Sequence, residues 1–265
     1  MESILGYLAS GLIGVSLGLI GGGGSIITIP VLVYLFHIEP TLATAYSLFI
    51  VGTTSLVGGV RSALNKMVDI KSAVLFSIPS TLAIYLTRHY LLPHIPDSIL
   101  TIESFKLSKN MAIMIFFSII MMAAAIRMIR DKNRHDAEGH SVKPNLVMIL
   151  LQGVVVGVVS GIVGAGGGFL IIPALVLLVG LPMKKAIGTS LIIIAINSLI
   201  GFIGDFEMLS QIDFSLMTIL SGLAIIGVFL GSYLSRFING SNLKSGFGWF
   251  AFLMAIYILI KEIVL

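Results

Sequence analysis

The stretch Gly14 to Gly24, reading GVSLGLIGGGG and followed by Ser25-Ile26-Ile27-Thr28-Ile29-Pro30, returns as Gly157 to Gly167, GVVSGIVGAGG, followed by Gly168-Phe169-Leu170-Ile171-Ile172-Pro173. Adding 143 to a residue number carries Gly14 to Gly157, Gly18 to Gly161, Gly21 to Gly164, Gly24 to Gly167, Pro30 to Pro173, Ala43 to Ala186, Ser47 to Ser190 and Ser55 to Ser198 without a gap. The chain is a duplication. Each copy sets a glycine cluster, a poor helix former, between apolar runs. At membrane depth a break in the backbone is tolerated only where protein buries it or it lines a wet cavity. Interrupted apolar segments at corresponding places in two copies therefore point to a binding site.

The membrane setting follows from composition. Hydrophobic residues make up 57% of the chain, charged residues 11%, and the mean hydropathy is +1.09, whereas soluble domains hold roughly 45–50% apolar residues. A polytopic membrane protein is expected. The net charge of +4 is spread over short connections, with no basic helix to follow a phosphate backbone, so nucleic acid is excluded as a partner. The absence of cysteine removes disulfides, thiolate metal sites and cysteine nucleophiles together. The run Ile4 to Ile20 imitates a signal peptide, but Glu2 is the only charge before it and it has a counterpart around 153–168. It is expected to stay in the mature protein.

Apolar segments are read at 4–20, 25–38, 42–60, 71–92 and 109–130, then at 146–163, 169–181, 186–204, 213–235 and 246–264. The expected fold class is all-α and polytopic, with residues 1–130 as a first transmembrane repeat, 131–145 as a cytoplasmic linker and 146–265 as a second repeat. Short loops carrying Arg61, Lys66, Lys71, Lys184, Lys185, Arg236 and Lys244 fall on the linker's side, which the positive-inside rule assigns to the cytoplasm. Five segments per half is an odd number, so the second copy enters from the opposite face and the repeat is inverted. Segments 25–38 and 169–181 are shorter than the about 20 residues that cross a bilayer. Each glycine-centred pair is therefore expected to form a broken-helix hairpin dipping into the bilayer. Pro30 and Pro173 should kink its short arm or confine it to a turn or two.

At each break the amides of Gly21 to Ser25 and Gly164 to Gly168 precede a new helix. Its first N–H groups lack intrahelical acceptors and its dipole is positive there, which suits an anion without a formal cation. Candidate substrate contacts are Gly22, Gly23, Gly24, Ser25 and Thr28 in the first copy and Gly166, Gly167 and Gly168 in the second. The following helices add Ser47 on one side and Thr189, Ser190 and Asn197 on the other; Thr44, Ser47, Thr54 and Ser55 fall within about 100° of arc. Such hydroxyls also bond to carbonyls one turn back, and Gly14-x-x-x-Gly18, Gly157-x-x-x-Gly161 and Gly227-x-x-x-Gly231 fit close helix packing.

No Asp, Glu, Lys or Arg lies mid-span in these segments, so a cation exchanger with a buried carboxylate is not expected. Arg61 and Arg88, near span ends, are expected to snorkel or set topology. The run Gly161 to Gly168 lacks the Lys-Ser/Thr of a nucleotide loop, and no nucleophile–base pair for an intramembrane protease is present. No enzyme activity, metal or cofactor is read.

The glycine-rich stretches with their prolines, continuing as Ala43-Thr44-Ala45-Tyr46-Ser47-Leu48 and Ala186-Ile187-Gly188-Thr189-Ser190-Leu191, resemble the sulfite exporter TauE/SafE family of membrane permeases over nearly the whole chain. The A-x-G-T-S-L form is intact at Ala186 to Leu191, while Ala45 and Tyr46 depart from it in the first copy. The resemblance implies transport of small sulfur-containing anions such as sulfite or sulfonates across the cytoplasmic membrane. The residues themselves support the anion. The expected partners are that anion and the lipid bilayer, and a homo-oligomer is compatible with the sequence. An anion channel and a non-transporting scaffold stand as the alternatives.

Overall fold

The computed structural model describes residues 2–96, 98–102, 105–130, 146–163, 167–177, 179–205 and 211–264; the linker 131–145 lies outside them. The first half comprises α1 (Glu2–Ile20), α2 (Gly23–Tyr34), α3 (Pro40–Leu64), α4 (Ile70–Leu86), a π turn at Thr87–Leu91, the short α5 (Leu92–His94) and α6 (Lys109–Arg130). The second comprises α7 (Leu146–Val163), α8 (Gly168–Leu177), α9 (Met183–Ile203), α10 (Phe214–Leu234) and α11 (Gly240–Val264). Among the described residues the fold is all-α as expected, apart from one short hairpin. Ser98–Ile102 (β1) and Phe105–Ser108 (β2) pair antiparallel between α5 and α6, because Leu100, Ile102, Phe105 and Leu107 alternate with polar residues at the strand period.

Among the described residues five helices are long and apolar enough to cross a membrane, including Pro40–Leu64, Ile70–His94, Met183–Ile203 and Phe214–Leu234. Burial orders them: the apolar window is 72% buried in α3 and 67% in α9, but 44% in Ile70–His94 and 39% in α10. α3 and α9 form the centre. The outer helices turn Leu5, Leu8 and Leu12, Ile78 and Leu82, Ile226 and Phe229, and Leu253 outward. In water such a surface would be an aggregation liability; lipid tails solvate it.

α2 and α8 hold 12 and 10 residues, about 18 and 15 Å of helix. Both are longer than a turn or two, since Pro30 and Pro173 sit inside them and the helix runs on past each. Pro40 stands in the first turn of α3, where its missing N–H costs nothing.

The main packing pairs between helices have counterparts under the 143-residue offset. α1 packs on α10 and α7 on α4, α2 on α3 and α8 on α9, α3 on α10 and α9 on α4, while α3–α9 and α2–α8 map onto themselves, and α6 packs on α11. This set of main contacts is unchanged when the two halves are exchanged. The seams are backbone to backbone. A Cβ on Gly14 would lie 1.8 Å from the Ala224 carbonyl oxygen, and one on Gly157 2.4 Å from that of Ser80. Lipid offers no hydrophobic drive for helix association, so close approach through glycine supplies the attraction.

Candidate anion site

Gly21, at φ +80°, turns the chain out of α1 in the left-handed region that favours glycine. Its amide donates to the Leu17 carbonyl at 2.7 Å, and that of Gly22 donates to Ile20 at 3.0 Å. Two of the five amides expected to face an anion are thus engaged by α1. Gly23, Gly24 and Ser25, all buried, supply the first N–H groups of α2, which have no acceptor within the helix. In the second copy Gly167 takes φ +73° and its carbonyl accepts from Leu170 and Ile171, each at 2.9 Å. Gly166 lies outside the described residues.

The two breaks meet. A Cβ on Gly168 would lie 3.0 Å from Gly22 Cα and 3.1 Å from Ser25 Oγ, and one on Gly21 would lie 2.8 Å from Ser190 Oγ and 3.2 Å from Ile187 Cα. Residues from α2, α8 and α9 share one knot.

Hydroxyl accounting separates the candidates. Ser25 donates to the Gly22 carbonyl (2.7 Å), Thr28 to Gly24 (2.8 Å) and Ser190 to Ile187 (2.8 Å). Thr189 Oγ1 accepts from the Asp69 amide at 2.9 Å, which ties α9 to the loop before α4. Among the described residues Ser47 Oγ is fully buried with no partner, as are Thr54, Ser55 and Ser198. Asn197 Oδ1 accepts from Ser80 Oγ (3.0 Å) and Thr81 Oγ1 (2.6 Å), and its amide nitrogen has no partner among the described residues. Buried polar groups are normally bonded. Ser160, which the sequence reading passed over, is another such group: its Oγ is buried and has no partner among the described residues, 2.9 Å from where a Gly167 Cβ would stand.

A cavity of about 480 Å³ opens beside the first break. Gly18, Ile187 and Gly188 line it, and Arg61, Lys184 and Arg236 stand around it with no acid among the described residues of its lining. Three basic residues that the sequence reading used for topology thus converge on one space. Arg61 also lies over the Phe229 ring at 5.2 Å.

Arg88 corrects the sequence reading more sharply. It does not snorkel: it is 1% exposed, in the π turn after α4. Its Nε donates to Asp205 Oδ1 at 2.6 Å and a terminal nitrogen to Asp205 Oδ2. The remaining donors reach the Gly161 carbonyl (2.9 Å) and Thr44 Oγ1 (3.0 Å). One guanidinium thus joins α3, the last turn of α7, whose carbonyls lack helical partners, and the segment after α9. Burial pushes the Asp205 carboxyl up from its ordinary value, and Arg88 opposes that rise.

An apolar-surfaced helical bundle with paired glycine breaks around its central helices defines the class: a multi-pass membrane protein. The chain belongs to the sulfite exporter TauE/SafE family, whose model matches residues 7–258. A probable membrane transporter protein of Xylella fastidiosa (strain 9a5c) is 28% identical over 98% of this chain and 96% of its own. The probable membrane transporter protein MJ0441 of Methanocaldococcus jannaschii is 28% identical over 76% of this chain and 69% of its own, and YdhB of Bacillus subtilis is 34% identical over 45% and 48%. No solved structure matches the chain. The chain is a transmembrane transporter of that family.

Proposed function

We propose that the protein carries small sulfur-containing anions such as sulfite or sulfonates across the cytoplasmic membrane. In this reading the repeats are inverted, the two broken helices form re-entrant hairpins, and the anion is held where their tips meet near the midplane. The observation that carries it is the contact of Gly22 and Ser25 with Gly168, which brings two helix N-termini together. Positive dipole ends and unshared amides there favour negative charge. Ser47, Ser55 and Ser198, buried without partners among the described residues, supply hydroxyl donors that a pyramidal or tetrahedral oxyanion would satisfy. The cationic cavity serves as the cytoplasmic vestibule, raising local anion concentration. The repeats rock about the site to expose it alternately to the two faces.

The test is flux in liposomes holding the purified protein, with sulfite compared against sulfate, thiosulfate, sulfoacetate and chloride under imposed pH and potential gradients. Saturable, trans-stimulated sulfite flux is expected. Non-saturating flux favours a channel, and no flux of any anion above empty liposomes leaves the scaffold reading standing.

A further inference from the structure

The Arg88 cluster and the vestibule occupy corresponding places in the two copies. Under the 143-residue offset Arg88, Asp205, Gly161 and Thr44 exchange with Gly231, Ser62, Gly18 and Ile187. Gly18, Ser62 and Ile187 line the cavity, together with Ser232, the neighbour of Gly231. Where one copy holds open space, the other holds a guanidinium and its carboxylate. The two places lie at opposite ends of α3. Thr44 and Ser62 are separated by 18 positions, about 27 Å of helix, against a bilayer core of about 30 Å.

The equivalent seam packs without such a pair. α1 seats on α10 with glycine at 231, while α7 seats on α4 with Arg88 at the matching place. Taking two charges out of water is expensive, and hydrophobic replacement of a buried pair is often harmless to a fold. The π turn is confined to one copy as well: α4 runs into Thr87–Leu91, whereas α10 is α-helical from Phe214 to Leu234. π turns are frequent at functional positions. A costly pair and an irregular helix, both absent from the equivalent seam, call for a role beyond holding helices together.

We infer that Arg88 is an anion-binding residue on the transport path, held in reserve by Asp205, and that their pair is the closed gate at the end opposite the vestibule. The carboxylate takes the two-point position on the guanidinium that an oxyanion of the substrate takes once the gate opens. This rests on the carrier reading above.

The chain has no cysteine, which permits single reporters in the full-length protein. Ala45 is buried and exchanges with Gly188, which lines the vestibule. In proteoliposomes a membrane-impermeant maleimide, added to each face in turn, is expected to label S62C and spare A45C. Adding Asp205→Asn to A45C should raise its labelling rate roughly tenfold or more, the mark of a shifted equilibrium. The double variant Arg88→Met with Asp205→Leu, which leaves no orphan charge, should stay folded by its melting curve yet lose saturable sulfite flux. A45C equally protected with Asp205→Asn in place, or sulfite flux retained by the double variant, overturns the assignment. If the wild-type protein moves no sulfite, the carrier reading fails instead, and A45C labelling alone decides the gate.

Discussion

A buried hydroxyl with no partner loses its bonds to water and gains nothing in return, a cost of about 1–3 kcal/mol. Ser47 and Ser198 are in that position, so Ser47→Ala should melt at or above the wild-type temperature while weakening anion-dependent thermal stabilisation. A fall in stability with unchanged anion response would show that the hydroxyl serves packing. Gly14 behaves oppositely. A methyl there meets the Ala224 carbonyl oxygen at 1.8 Å, so Gly14→Ala should lower the melting temperature through overpacking, about 1–3 kcal/mol or more, with or without anion. Differences between the copies proved as informative as their identities. Gly24 packs on Leu17, but its counterpart Gly167 packs on Ser160, and 17 and 160 are one offset apart. Reading the offset for mismatches would have found Ser160; reading it for matches could not.

Element existence was legible wherever apolar run and length agreed. The segment read at 42–60 is helical over Pro40–Leu64, and that at 186–204 over Met183–Ile203. What escaped were features set by a distant partner. Arg88 closes an apolar run, where a cation ordinarily reaches for the interface, and its anchor Asp205 lies 117 positions away. The β1–β2 pair escaped because nine strand residues between two spans give the alternating period little length in which to declare itself. Thr189, read as a substrate contact, is claimed by the Asp69 amide, a bond that no local pattern announces. At this scale the meeting of α2 and α8 makes its own prediction. A methyl on Gly168 would come within 3.0 Å of Gly22 Cα and 2.8 Å of Ile194 Cδ1. Gly168→Ala should therefore push the tips apart and cut anion-dependent stabilisation more than it cuts basal stability, as parallel melts with and without sulfite would read.

Across the whole molecule the charges set direction. Arg61 in the last turn of α3, Lys184 in the first turn of α9 and Arg236 just after α10 surround one cavity. Neutralising all three as Gln should raise KM for anion offered from the vestibule face and leave the opposite face unchanged. That effect should fade with salt, because the Debye length shrinks from about 30 Å at 0.01 M to about 3 Å at 1 M. A salt-independent loss on both faces would instead make these side chains direct ligands. The seam between α1 and α10 also bears on how the protein is made. Gly14 and Ala224 touch although 210 positions separate them, and a ribosome adding about 5–20 residues per second needs about 10–40 s to bridge that gap. During this interval the glycine face of α1 has no partner from its own chain. Biogenesis must shelter a helix whose seat has not yet been synthesised, and the first copy reaches its native packing only when the second has been threaded beside it.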